Sequence, residues 1–225
     1  MTLPADLAAV LPKDSARSWE AIAPVLPEDA YLAGGTALAV HLGHRVSRDL
    51  DFFLHRSLDL DEVTAVLQSV GPFAVTLQDA GTLNGVFSDT PVQFLIAEDQ
   101  HRLEPTTSVS GIEVAGKGDI LAMKLKVVGD RGELRDYFDV MQIEQQAGRT
   151  VEEGLGLYMA RYDVPREHVT IRHIVNGLGY FGDVGDDEAL PERRDEIVTY
   201  WRKRQPELIR NIGRFPPRPA PGAGT

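Results

Sequence analysis

The stretch YLAGGTALAVHLGHRVSRDLDFFLHR, residues 31–56, holds a glycine pair, a basic run and two aspartates two residues apart. Its patterning decides the fold of the first half of the chain. Residues 30–33, AYLA, read as a short strand that ends at Gly34-Gly35. Residues 36–43 read as a short helix with Leu38, Leu42 and Val46 facing inward. DLDFFLH, residues 49–55, reads as a strand, because Leu50, Phe52 and Leu54 alternate with Asp49, Asp51 and Phe53. Asp49 and Asp51 therefore share one strand face. Like charges at that spacing repel, and burial strengthens the repulsion. A cation between them removes the conflict. Oxygen-only ligands of this kind suit Mg²⁺, which keeps some waters and takes further oxygens from phosphates.

The glycine pair fits the same chemistry. Gly34 and Gly35 lie where a strand turns into a helix, so backbone N–H groups can approach an anion at a helix N-terminus. Glycine pair, short helix and Asp-x-Asp strand form an ordered phosphate-plus-metal arrangement. A solvated outer strand face is the competing explanation of the two aspartates, and it leaves the glycines unexplained. Asp59 and Asp61 also spell Asp-x-Asp, but they open a helical pattern, where capping accounts for them. His41 and His44, three residues apart, have no evident third ligand for zinc.

Outward from this stretch, Ser15 is placed to cap a helix over residues 15–26. Val63, Val66, Leu67 and Val70 keep helical spacing after Asp59. FAVTLQ, LNGVFS and VQFLIAE then follow as strands, and SGIEVA adds a short edge strand. At Gly118-Asp119 the period changes, and helical patterns continue to about residue 213. The expected organisation is α+β. Residues 1–117 form a mixed-sheet catalytic domain, 118–213 a helical C-terminal domain, and 214–225, rich in Pro and Gly, a disordered tail.

The 225 residues include no cysteine, which excludes disulfides, thiol catalysis and zinc–thiolate sites. The N-terminus lacks a signal-peptide pattern and no apolar run suffices to span a bilayer, so a cytoplasmic location and no membrane partner are expected. Net charge is −11, unevenly spread. Residues 1–111 hold 6 Lys/Arg and 15 Asp/Glu, whereas residues 193–218 hold 8 and 3. Arg193, Arg194, Arg202, Lys203, Arg204 and Arg210, with Tyr200 and Trp201 interleaved, make that segment the candidate nucleic-acid surface.

A second constellation lies in GKGDILAMKLKVVGDRGELRDYFDV, residues 116–140. Lys124 and Arg131 share a helical face, as do Asp136 and Asp139. A surface ion-pair ladder, such as Arg135 with Asp139, is the alternative to a functional cluster.

Together, the two blocks resemble the AbiEii/AbiGii-type nucleotidyltransferase toxins of the polymerase-β-like superfamily. Residues 31–53 resemble the family's Gly-Gly to Asp-x-Asp motif. Residues 120–140 resemble its Lys-Leu helix followed by Arg-Asp-x-x-Asp, and the likeness spans roughly residues 29–147. The resemblance implies a polymerase-β-like mixed sheet with a helical C-terminal domain. It implies metal-dependent transfer of a nucleoside monophosphate from an NTP, with Mg²⁺ or Mn²⁺ on Asp49 and Asp51. The implied acceptor is the 3′ end of tRNA, and the implied partner is a cognate antitoxin. Gly34 and Gly35 match the phosphate turn, Ser47 a triphosphate hydroxyl, Lys124 the triphosphate lysine and Asp136 the later essential acid. Thr36, Arg48, Arg131 and Asp139 complete the expected substrate contacts. One departure stands out: Gln93 lies where a third carboxylate, able to deprotonate the acceptor, is sought. A protein or small-molecule hydroxyl as acceptor, and a non-catalytic nucleotide-binding module, are the alternative functions.

Overall fold

The computed structural model describes residues 4–211; the expected tail over 214–225 lies outside the described residues. The chain forms two compact units, one of Met1–Gln100 and Thr106–Ala115, the other of His101–Pro105 and Gly116–Thr225.

The first unit is a seven-stranded mixed sheet with helices. Helix α1 (Ala5–Val10) and helix α2 (Lys13–Ile22) precede strand β1 (Tyr31–Ala33), helix α3 (Gly34–Leu42) and strand β2 (Leu50–Leu54). Helix α4 (Leu60–Val70) then leads into strands β3 (Phe73–Gln78), β4 (Thr82–Phe87) and β5 (Thr90–Ile96), followed by β6 (Thr107–Val109) and β7 (Ile112–Val114). The sheet order is β3-β4-β5-β2-β1-β7-β6. β1 runs antiparallel to β2 and parallel to β7, and β2 runs parallel to β5.

Alternation in β2 is as read from the sequence. Leu50, Phe52 and Leu54 are fully buried, while Asp51 and Phe53, on the opposite face, are half-exposed. Asp59 caps α4 by accepting from the N–H groups of Asp61 and Glu62, so it serves the helix end alone. Gly43, at φ 63°, ends α3 in the left-handed conformation that glycine adopts without strain.

Several local expectations are corrected. Ser15 does not cap a helix: α2 begins at Lys13, and the buried Ser15 hydroxyl donates to the Arg48 carbonyl at 2.9 Å. SGIEVA is not an edge strand. It closes a hairpin in which β6 is the edge and β7 lies inside the sheet beside β1. Val46 is 52% exposed and does not face inward. His44 lies beyond the end of α3 and is buried, and the His41 ring bonds the Ala115 carbonyl at 2.8 Å.

The second unit is helical: α5 (Lys117–Arg131), α6 (Leu134–Ala147), α7 (Val151–Arg161), α8 (Val169–Gly177) and α9 (Arg194–Asn211). A Cβ on Gly154 of α7 would come within 2.7 Å of Leu121 and 2.8 Å of Leu125, so α5 and α7 pack closely there. Trp201 of α9 is fully buried and donates through Nε1 to the Tyr137 carbonyl at 3.1 Å. Residues His101–Pro105 belong here because Asp119, wholly buried, accepts from the N–H groups of Leu103 and Glu104 and pairs with Arg161 at 2.6 Å. Burial pushes the Asp119 carboxyl up, and Arg161 and the two N–H groups only partly offset it.

Candidate active site

The site in the first unit begins at the end of β1. The chain turns at Gly34, with φ +69°, and enters α3. Ala33 precedes the helix and offers no side-chain cap, so the first N–H groups of α3 have no capping side chain. The β1–β2 register sets Ala33 opposite Asp51. As a result, the Asp51 carboxylate lies against the turn: a Cβ on Gly34 would sit 2.5 Å from its Oδ2. Two constraints thus coincide at Gly34, a left-handed backbone and a carboxylate where any side chain would begin.

Gly35 is different. A Cβ there would meet Nη2 of Arg45 and would lie 3.3 Å from the Ser47 hydroxyl. The expected substrate contact in this loop is Arg48, but it is Arg45 that lies at Gly35. Arg48 has an exposed side chain, whereas Arg45 is half-buried and Ser47 buried. The only sequence signal is the loop's alternation, with Arg45 and Ser47 two residues apart.

The lead-in to β2 is held by three bonds on three successive residues. The Ser47 N–H donates to the Val10 carbonyl at 2.9 Å, Ser15 holds the Arg48 carbonyl, and the Thr36 hydroxyl lies 2.5 Å from the Asp49 carbonyl. Thr36 is also 2.8 Å from the Ser47 hydroxyl. A hydroxyl has one proton, and a carbonyl can only accept. Thr36 therefore donates to Asp49 and accepts from Ser47. That arrangement spends the Ser47 proton on Thr36 and fixes the backbone of Asp49.

Gln93 of β5 is directly opposite Asp51 in the register, and Asn84 of β4 is opposite Gln93. Paired residues share a face, so Asp51, Gln93 and Asn84 form one polar row. The Gln93 amide donates to Asn84 Oδ1 at 2.8 Å. No third Asp, Glu or His joins Asp49 and Asp51 among the described residues. A pair of carboxylates beside neutral amide oxygen fits a hard divalent cation that completes its shell with water and phosphate oxygen.

The remaining predicted residues form a separate cluster in the second unit. Lys124 of α5 is 2.8 Å from Asp136 and 2.7 Å from Asp139, and all three side chains are buried. Asp136 also accepts from the Glu133 N–H at 2.9 Å, closing the first turn of α6. Both Asp136 oxygens are thus engaged. The alternative, a surface ladder pairing Arg135 with Asp139, does not form: Arg135 pairs with Glu133, and Asp139 turns inward to Lys124. Arg131 ends α5, and its side chain lies outside the described residues.

The basic segment of α9 is only partly outward. Arg204 pairs with Glu144 at 3.0 Å and with Glu152, and the Tyr200 hydroxyl donates to Glu144 at 2.7 Å. Arg194 donates to the carbonyls of Val184 and Phe181. Trp201 is a core residue and cannot stack on a base. Arg202, Lys203 and Arg210 remain exposed.

A glycine turn against the Asp51 carboxylate on a mixed sheet sets an anion-binding helix N-terminus beside a cation-binding group. Residues 19–79 match the model of the nucleotidyl transferase AbiEii toxin family, described as a type IV toxin–antitoxin system. Residues 19–79 are therefore similar to the AbiEii nucleotidyltransferase toxin domain. The matched segment contains the glycine pair and Asp49 and Asp51, and it ends before Lys124. A protein of Aquifex aeolicus (strain VF5), aq_aa25, is 27% identical over 190 residues, covering 81% of this chain and 89% of its own length. Among solved structures, MenT4, a nucleotidyltransferase toxin of Mycobacterium tuberculosis H37Rv, superposes with a TM-score of 0.57 at 17% identity, covering 93% of this chain and 87% of that one. JHP933 of Helicobacter pylori gives 0.52 at 16%, covering 94% and 95%. These structural likenesses extend the shared fold over nearly the whole chain. No helix among the described residues is long and apolar enough to cross a membrane.

Proposed function

We propose that this chain transfers a nucleoside monophosphate from an NTP to the 3′-hydroxyl of tRNA, as the toxin of a toxin–antitoxin pair. The observation that carries the donor half is the Asp51 carboxylate held against Gly34 at the N-terminus of α3. Anion-binding backbone and cation-binding carboxylates then lie side by side, as a metal–triphosphate requires. Asp49 and Asp51 would hold Mg²⁺ or Mn²⁺, which when bound supplies charge neutralisation to the triphosphate.

The acceptor oxygen attacks the α-phosphorus in line. The bond from that phosphorus to the β-phosphate bridging oxygen breaks, and pyrophosphate leaves. Gln93, opposite Asp51, cannot accept the hydroxyl proton, so deprotonation falls to solvent. The pinned loop from Ser47 to Asp49 keeps the carboxylates in position, and positioning carries most of the acceleration. The family resemblance assigns Lys124 to the triphosphate, and within its own unit Asp136 and Asp139 are its counter-ions.

Support for tRNA comes from the exposed Arg202, Lys203 and Arg210. Engagement of Arg194 and Arg204 inside the helical unit favours a second reading, in which the acceptor is a protein or small-molecule hydroxyl. Incubation with each labelled NTP, Mg²⁺ and total tRNA separates the two. Label in RNA, lost by about 10³-fold or more in Asp49→Ala and Asp51→Ala, supports tRNA transfer. Label in protein alone refutes the tRNA acceptor. Undiminished transfer by either folded variant refutes the site.

A further inference from the structure

We propose that Arg45 is a triphosphate-binding residue, and that the paired glycines serve different partners: Gly34 leaves room for the Asp51 carboxylate, Gly35 for the Arg45 guanidinium. The inference rests on the reading of this site as an NTP site. It assigns the binding cation of the first unit to a residue that neither motif spacing nor the Arg48 side chain supplies.

The geometry points here from both sides. Nη2 of Arg45 occupies the position that a Gly35 side chain would take, and the Ser47 hydroxyl lies beside that same position. Nη1 donates to the Val46 carbonyl at 3.1 Å, which holds the guanidinium back along its own loop. The loop cannot drift, because Ser47, Arg48 and Asp49 are each bonded to another element. A planar guanidinium is thus fixed at the first turn of α3, one residue from the turn that faces Asp51. The Asp51 carboxylate meets the backbone at Gly34 and the Arg45 guanidinium meets it at Gly35. Arginine suits the anion site because its fork of N–H groups can span two phosphate oxygens.

Substitution separates the two glycines. Gly35 has no left-handed backbone and its neighbour is the far end of a flexible side chain, so Gly35→Ala folds and displaces the guanidinium. Gly34→Ala is strained by its φ and pushes on Asp51.

The experiment measures KM for NTP, kcat and thermal midpoint for wild type, Arg45→Gln, Arg45→Lys, Gly35→Ala and the double variant Arg45→Gln with Gly35→Ala. Arg45→Gln is expected to raise KM for NTP about 10- to 100-fold, the loss of a charge-assisted hydrogen bond, with the midpoint unchanged. Arg45→Lys recovers part of it. Gly35→Ala raises KM similarly, and adding it to Arg45→Gln costs little more, because both act on one guanidinium. A wild-type KM for Arg45→Gln, or additive effects in the double variant, overturns the proposal while leaving the site reading intact. If wild type itself neither binds nor transfers NTP, the site reading falls and this inference with it. Asp51→Ala, run alongside, distinguishes the two failures: it must be inactive wherever the site reading holds, whatever Arg45→Gln does.

Discussion

Lys124 shows how a single side chain can carry two demands. Its ammonium is buried between Asp136 and Asp139. Removing one partner from such a group leaves uncompensated charge in a medium that solvates it poorly. Lys124→Met is therefore expected to lower stability by about 3–5 kcal/mol, read by urea unfolding. Adding Asp136→Asn and Asp139→Asn should restore much of that loss. If Lys124 also serves the triphosphate, the restored triple variant stays inactive in NTP transfer. Recovery of activity along with stability would reduce Lys124 to a structural ion-pair partner. At this scale the sequence was readable where local period decides direction. Asp49 and Asp51 had to share a face because Leu50, Phe52 and Leu54 fill the other. Arg45 was not readable, since its direction depends on bonds that tie Ser47, Arg48 and Asp49 to Val10, Ser15 and Thr36, across 13 to 37 positions in sequence.

Among the elements, α9 illustrates what helical patterning conceals. The sequence shows a basic helix, and nothing in it reveals that Glu144 of α6 and Glu152 of α7 both reach Arg204. Such pairing across more than 50 positions is set by how the helices pack. The hairpin of β6 and β7 was half-legible for a related reason: Ile112 and Val114 are fully buried, yet three-residue strands are too short for period to tell edge from interior. The Arg204 cluster also fixes a pH response. Burial raises the Glu152 carboxyl, but bonds from Arg204 and Asn211 outweigh it and hold the group below its ordinary value of 4.5. A folded-state value below the unfolded one means stability that is present above the ordinary carboxylate range and is lost as pH falls through the folded value. Wild type should accordingly be more stable than Glu152→Gln at pH 7, and the gap should close on acidification below about pH 4.5. Chemical unfolding of both proteins across pH 7 to 3 checks this. A gap that stays constant with pH would show that Glu152 contributes by packing and not by its charge.

For the molecule as a whole, charge sets the terms on which an acceptor can bind. A net charge of −11 repels a polyanion, so tRNA needs a local basic surface. The first 111 residues, with 15 acidic and 6 basic side chains, do not offer an obvious one. In the helical unit, Arg194 and Arg204 are committed to internal bonds, and Arg193 pairs with Asp195. The cationic side chains left facing solvent on α9 are Arg202, Lys203 and Arg210. Glu196 and Glu207 lie among the same exposed positions, so the surface is only mildly basic. Reversing Arg202, Lys203 and Arg210 to Glu is therefore expected to raise the KM for tRNA while leaving the KM for NTP nearly unchanged. Arg204 must be spared, because its reversal would set three carboxylates together and test folding instead. Each phosphate contact releases counterions, so the slope of log affinity against log salt should flatten by roughly two to three in the triple variant. Filter binding of tRNA across a salt series measures that slope. Equal affinity and parallel slopes for wild type and variant would remove α9 from the acceptor surface. The protein or small-molecule hydroxyl would then become the stronger acceptor, since it requires no polyanion-binding face.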